Sequence, residues 1–266
     1  MDYLIEPSEL LQRGLDLRQA YAEAAPFPHI VLDDFFPEGV VAAALEEFPA
    51  ARDADWQSFE SGQERKLASN NERALSPTAR RIIWEMNSQV FLEFLQNLTG
   101  ISDLIPDPKL SGGGMHQIER GGKLGVHVDF NRHVEFGLDR RLNVLLYLNR
   151  EWREDYGGHL ELWDQDMKSC VQRVAPVFNR LVVFSTTDTS WHGHPDPLAC
   201  PEEVTRKSLA LYYYTNGRPE LERSDEHTTV FAPRPGERLQ RERPALRLRD
   251  FVPPVLMRGL DRVRGR

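Results

Sequence analysis

The residues whose types and spacing most directly suggest chemistry lie in Leu124-Gly125-Val126-His127-Val128-Asp129-Phe130-Asn131. The stretch reads as a strand, on which residues i and i+2 project to the same side. His127 and Asp129 therefore aim an imidazole nitrogen and a carboxylate oxygen at one point, with Val128 turned away. A second imidazole from a later strand would complete a two-histidine, one-carboxylate face. Such a face leaves half of an octahedral metal's positions open, the arrangement in which non-haem Fe(II) takes O2 and a cosubstrate.

The later histidine is sought after an apolar strand. Leu181-Val182-Val183-Phe184 is such a strand, and Thr189–Leu198 beyond it holds His192 and His194. We read His192 as the ligand, 63 positions after Asp129, with His194 in reserve. His29 in an apolar strand, His133 in a polar loop and His159 after two glycines are read as ordinary polar or core residues. An isolated His-x-Asp triplet arises often by chance; paired with a distal histidine it says more. Farther on, Arg206, Ser208, Ala210 and Tyr212 share one face of the strand Thr205–Tyr214, and Lys207, Leu209, Leu211 and Tyr213 share the other. A guanidinium beside small Ser208 and Ala210 suits a bidentate grip on a carboxylate, which lysine cannot copy. Tyr147 is placed to add a hydroxyl to the same carboxylate.

These residues need rigid elements to hold them. Residues 8–25 predict a helix stopped by Pro26, residues 28–33 a short strand, and the segment from Pro37 to Pro49 a second helix. Ser76 as N-cap, Pro77 at the first turn and Gly100 at the stop predict one long helix between them, buried along Ile83, Met86, Val90, Phe94 and Leu98. Residues 50–75 lack pattern and read as a long loop, with a lid over a site as one use for it. After Pro108 the texture changes to short runs and turns, with strands expected near 114–119, 124–130, 142–149, 159–163, 171–175, 180–186 and 206–215. No helical pattern separates them, so the fold class is mainly β with flanking helices: a jelly roll, with N-terminal helices packed on one sheet. In Leu142–Asn149 the face Leu142, Val144, Leu146 and Leu148 suits those helices, and the face Asn143, Leu145, Tyr147 and Asn149 suits a polar cavity.

Composition narrows the classes. The chain has 266 residues, 40% hydrophobic and 28% charged, and no apolar run of membrane-spanning length. The N-terminus shows no secretory pattern, and Cys170 and Cys200 give no disulfide framework, so a cytoplasmic protein is expected. The net charge of −8 is uneven: from Arg234 to Arg266 ten arginines face four acids, a net of +6, which leaves −14 on residues 1–233. That basic tail suits its own acidic body first, and an anionic partner second. With no aromatic stacking platform in an acidic body, nucleic acid is not an expected partner.

Taken together, His127-Val128-Asp129, Leu146-Tyr147-Leu148-Asn149, Gly157-Gly158-His159-Leu160-Glu161-Leu162, Asn179–Phe184, His192 and Thr205-Arg206 with Ala210–Tyr213 resemble the core of the Fe(II)- and 2-oxoglutarate-dependent dioxygenases, in their prolyl hydroxylase-like (prolyl 4-hydroxylase) branch. The resemblance runs from about Gly113 to Pro219. It implies a double-stranded β-helix with Fe(II) on His127, Asp129 and His192. It also implies 2-oxoglutarate on the iron, its distal carboxylate on Arg206 with Tyr147 assisting, and O2 converting 2-oxoglutarate to succinate and CO2 as the substrate is hydroxylated. Ascorbate is implied as an accessory. Asp129 argues against the halide swap of the family's halogenases, the Pro197-Leu198 spacing favours His192 over His194, and Gln117 stands where the family often has a tyrosine.

The expected organisation is an N-terminal helical and strand region over 1–112, an oxygenase core over 113–219 and a Pro/Arg-rich extension over 220–266. The expected activity is hydroxylation of an unactivated C–H bond, on a prolyl or other side chain of a protein or peptide. A free small molecule or biosynthetic intermediate is the alternative substrate. From another class, the rival is a non-catalytic jelly-roll module that only binds iron or 2-oxoglutarate; a cupin-like site using both His192 and His194 lacks a nearby glutamate and leaves His127-Val128-Asp129 idle.

Overall fold

The computed structural model describes residues 2–52 and 56–238. Helix formation follows the punctuation of the sequence closely at the N-terminus, with α1 at Pro7–Ala22 and α2 at Glu38–Glu46. The long helix expected after Ser76 is instead two, α3 at Pro77–Met86 and α4 at Gln89–Thr99. The Ser76 hydroxyl accepts from the Ala79 amide, and Ser88 repeats the device on the Phe91 amide. Ser88 is thus a second helix start, masked in the sequence by apolar periodicity running straight through it. Gly100, in the left-handed region at φ 73°, closes α4 where a stop was expected.

The strands are β1 at His29–Leu32, β2 at Gln57–Glu60, β3 at Glu64–Ser69, β4 at Ile105–Pro106, β5 at Gly114–Ile118, β6 at Lys123–Val128, β7 at Asp139–Tyr147, β8 at Leu160–Trp163, β9 at Cys170–Val174, β10 at Arg180–Ser185, β11 at His192–His194, β12 at Arg206–Thr215 and β13 at Val230–Phe231. All pair antiparallel, in the order β1-β10-β7-β12-β5-β3-β6-β11-β8-β9, with β2 on β3, β4 on β12 and β13 on β6. β3 joins the two halves, pairing through Leu67–Ser69 with β5 and through Glu64 and Arg65 with β6. The sheet therefore folds over on itself into a jelly roll.

Two apolar layers fix that shape. Leu142, Val144 and Leu146 of β7, Leu181 and Val183 of β10, and Leu209, Leu211 and Tyr213 of β12 form one core with Leu10, Ile82, Met86, Phe91, Phe94 and Leu98 of the helices. The opposite face of β7 and β10 places Tyr147, Val182 and Phe184 against Leu160, Leu162 and Val174 of β8 and β9. The alternation read along 142–149 thus separates a helix-facing side from an interior side, as pleating requires.

Residues 50–75, expected as a long loop, contain the β2–β3 hairpin instead. Its residues are polar because one side borders a cavity, so the alternation of a half-buried strand is missing from the sequence. Most of the basic tail lies outside the described residues. Among the described residues no helix is long and apolar enough to cross a membrane.

Candidate active site

Between the two halves of the roll lies a cavity of about 260 Å³, and His127, Asp129, His192, Arg206, His194 and His116 all face it. His127 and His192 are cross-strand partners on β6 and β11, with ring centroids 4.4 Å apart. Asp129 follows directly after β6. Its Oδ1 is 3.5 Å from His127 Nε2, and its Oδ2 is 3.4 Å from His192 Nε2. The candidate ligand atoms of these three residues lie within 4.8 Å of one another.

The tautomers are fixed from behind. His127 Nδ1 donates to the Gly125 carbonyl and His192 Nδ1 to the Ser190 carbonyl, both at 2.9 Å. A carbonyl can only accept, so each Nδ1 carries its proton and each Nε2 presents a lone pair to the shared space. Burial, and after it the neighbouring His127 ring, pushes the His192 pKa down to about 4, which keeps its lone pair free at neutral pH. Burial pushes Asp129 the other way, but the Arg140 guanidinium leads a set of opposing effects, with His192 and His127 behind it, that hold the carboxyl well below its usual range. Two imidazoles and one carboxylate, aimed at one point, fit a divalent first-row metal. His194, the reserve, is outside this group.

Asp129 is held by Asn143, which alternation placed on the cavity side, and by Arg140, which the sequence left unassigned. Asn143 Nδ2 donates to its Oδ2 at 2.8 Å, and Arg140 Nη2 lies 3.1 Å from the same oxygen. Two donors occupy the lone pairs of Oδ2 and leave Oδ1 for a metal. Arg140 also donates through Nε and Nη2 to Asn143 Oδ1, and its guanidinium lies 3.5 Å from the Tyr212 ring centroid and 4.4 Å from that of Phe130. Strict alternation puts Arg140 on the helix side with Leu142. A bulge prevents that: Tyr213 pairs with Leu142 but Tyr214 pairs with Arg140, so β7 carries one extra residue and Arg140 turns into the cavity. Asn143→Ala should weaken Fe(II) binding about 10- to 100-fold, the usual penalty for losing a group that orients a ligand, with the circular dichroism spectrum unchanged.

Gly193 lets the two imidazoles meet. A Cβ at this position would lie 2.7 Å from the Gly125 carbonyl oxygen and 2.8 Å from that of Leu124, both backbone atoms of β6. The Gly125 carbonyl is also the anchor of His127. Gly193→Ala should therefore push β11 off β6 and lower Fe(II) affinity by about tenfold or more, following the ~1–3 kcal/mol typical of overpacking. Anaerobic Fe(II) titration beside thermal melting would separate this from global unfolding.

The far wall carries Arg206, 5% exposed, from the start of β12. Its Nε donates to the Gly158 carbonyl at 2.8 Å and its Nη2 to Tyr147 Oη at 3.2 Å. Burial lowers the Arg206 pKa, opposed only by Tyr147; among the described residues no carboxylate opposes it. A buried guanidinium without a counter-charge is costly unless an anion enters. Tyr147 is wholly buried beneath it, as the alternation of β7 anticipated. Gln117 does not face the cavity: β5 turns His116 and Ile118 inward, and Gln117 Oε1 accepts from the Thr205 hydroxyl instead. The other histidines have structural partners: His133 lies near Ser111 and Asp107, His159 meets Glu154, and His29 meets the Phe27 carbonyl.

Comparison with known proteins agrees with this geometry. Residues 113–214 match the family model described as the 2OG-Fe(II) oxygenase superfamily. Mouse prolyl 3-hydroxylase OGFOD1 is 35% identical to this chain over 79 residues, 28% of this chain and 14% of that protein. The match thus spans a small part of that relative's length. A Pseudomonas putida prolyl-4-hydroxylase superposes with TM-score 0.56 at 18% identity, over 76% of this chain and 98% of that one. A Phytophthora capsici prolyl 4-hydroxylase gives 0.53 at 19%, over 81% and 67%. These structures share the fold. Fe(II), 2-oxoglutarate and O2 are the reactants of oxygenases of this superfamily.

Proposed function

We propose that this chain is an Fe(II)- and 2-oxoglutarate-dependent dioxygenase that hydroxylates an unactivated C–H bond, on a prolyl or other side chain of a protein or peptide. One observation carries the reading: a two-histidine, one-carboxylate face and a buried guanidinium with no carboxylate partner among the described residues look into the same cavity. His127 Nε2, Asp129 Oδ1 and His192 Nε2 would hold the iron. Arg206, with Tyr147 beside it, would take the distal carboxylate of 2-oxoglutarate. Bound Fe(II) would supply the oxidation, coupling O2 and decarboxylation of 2-oxoglutarate to insertion of one oxygen into the substrate. The protein supplies placement: the Nδ1 anchors fix the rings, Asn143 and Arg140 fix the carboxylate, and Leu145, Leu160 and Phe184 exclude water from the space around them.

The identity with a prolyl 3-hydroxylase supports a prolyl side chain as substrate. So does the aromatic wall of Phe59, Phe130, Tyr212 and Phe231, suited to a small apolar ring. For the basic tail we favour contact with the chain's own body, because its first residue, Arg234, pairs with Asp196 at 2.7 Å.

Anaerobic addition of Fe(II) and then 2-oxoglutarate should produce the weak visible charge-transfer band of a chelated 2-oxo acid. Under O2, proline-containing peptides should accelerate succinate formation. Without the band, the iron and cosubstrate reading is wrong; a band without turnover on any peptide or small molecule would favour a binding module.

A further inference from the structure

The histidine left out of the metal face has its own unmet chemistry. β11 alternates, so His192 and His194 face the same cavity, one strand repeat of about 7 Å apart. His192, His127 and His116 each fix one ring nitrogen on a backbone carbonyl. His194 fixes neither: it is 4% exposed, and both Nδ1 and Nε2 are buried with no hydrogen-bond partner among the described residues. The charged groups that bear on it most are Arg206 and Lys66. Lys66 already pairs with Glu64 at 3.1 Å, which leaves Arg206 as the cation without a carboxylate among the described residues. A buried polar ring beside such a cation is built to meet an entering acceptor, since leaving it unpartnered is unfavourable.

Resting on the cosubstrate reading above, we propose that His194 donates a hydrogen bond to the distal carboxylate of 2-oxoglutarate, making it a cosubstrate-binding residue beside Arg206 and Tyr147. The carboxylate has lone pairs for all three donors. Placed one repeat from the metal face, His194 reads whether a 2-oxo acid has an anionic group at its far end. It thereby selects dicarboxylates over monocarboxylates.

The test is anaerobic titration of Fe(II)-loaded protein with 2-oxoglutarate and, in parallel, with 2-oxovalerate, which keeps the chelating end and lacks the distal carboxylate. His194→Phe keeps the ring and removes the donor; His194→Gln keeps a donor on an open chain. Both variants should bind Fe(II) as wild type does. His194→Phe should weaken 2-oxoglutarate about 10- to 100-fold, the loss of a hydrogen bond to a charged group, and leave 2-oxovalerate unchanged. His194→Gln should recover part of that loss. If His194→Phe binds 2-oxoglutarate as tightly as wild type, or weakens both acids equally, the assignment is overturned. Loss of Fe(II) from both variants would also overturn it, by putting His194 in support of the metal face. Wild type that takes Fe(II) but gives no band with 2-oxoglutarate would instead overturn the cosubstrate reading itself.

Discussion

His192→Ala protein should fail to load Fe(II) at concentrations that saturate wild type, while His194→Ala protein should load it normally. The two residues are separated by Gly193 alone, so sequence position and local environment are nearly matched controls. What differs is the geometry: His192 Nε2 stands 3.4 Å from Asp129 and its ring is 4.4 Å from that of His127, whereas His194 is not among the clustered ligands. A structural zinc site worth about 10–16 kcal/mol over four ligands loses on the order of 3 kcal/mol with each one, and a loss of that order is expected here. That corresponds to roughly 100-fold in affinity, and more where the remaining pair cannot close around the ion. His127→Ala should match His192→Ala. Equal loss in the His194 variant would move the metal down the strand and reverse the roles of the two histidines.

Much of this site is legible without coordinates because strands impose a period of two. His127 with Asp129, the helix-facing row Leu142, Val144 and Leu146, and the inward row Arg206, Ser208 and Tyr212 all follow from alternation, and each stands where it was expected. Alternation fails where the ladder gains a residue. The bulge in β7 turns Arg140 into the cavity, and no local feature of Asp139-Arg140-Arg141 announces it. A similar limit hid the β2–β3 hairpin. Gln57, Phe59, Glu64 and Lys66 border the cavity, so the polar–apolar contrast that marks a strand over a core is weak there. Ser88 was the opposite case, a cap signal present in the sequence but outweighed by continuous apolar spacing on either side. What stays hidden is the choice of partner across space: which carboxylate oxygen Arg140 and Asn143 hold, and which buried cation has no partner.

That unpaired cation yields the second large effect, in which stability and binding move in opposite directions. Arg206→Met should weaken 2-oxoglutarate by about 2–5 kcal/mol, roughly 30-fold to several thousand-fold, because the charge pair it forms is fully desolvated. The ligand-free variant should nonetheless melt no lower than wild type. Removing Arg206 deletes a buried charge that no carboxylate of the described residues balances, and methionine fills the same slot with an apolar chain. The opposing loss is modest: the Gly158 carbonyl and the Tyr147 hydroxyl each lose one donor or contact, about 1 kcal/mol apiece. Wild-type protein should gain about 2.7 kcal/mol when 2-oxoglutarate is present at a hundredfold excess over its Kd, whereas the variant should gain no more than about 0.9 kcal/mol at that concentration. Calorimetric melts of both Fe(II)-loaded proteins, with and without 2-oxoglutarate, read all four states. A ligand-free Arg206→Met protein that melts far below wild type would show the guanidinium to be a structural tie between β12 and the Gly157-Gly158 turn. Arg206→Lys separates charge from shape: it keeps the cation but not the planar fork, so it should recover only part of the lost affinity. A full recovery would mean that the site reads charge alone, and that the bidentate geometry at Arg206 contributes nothing to choosing the cosubstrate.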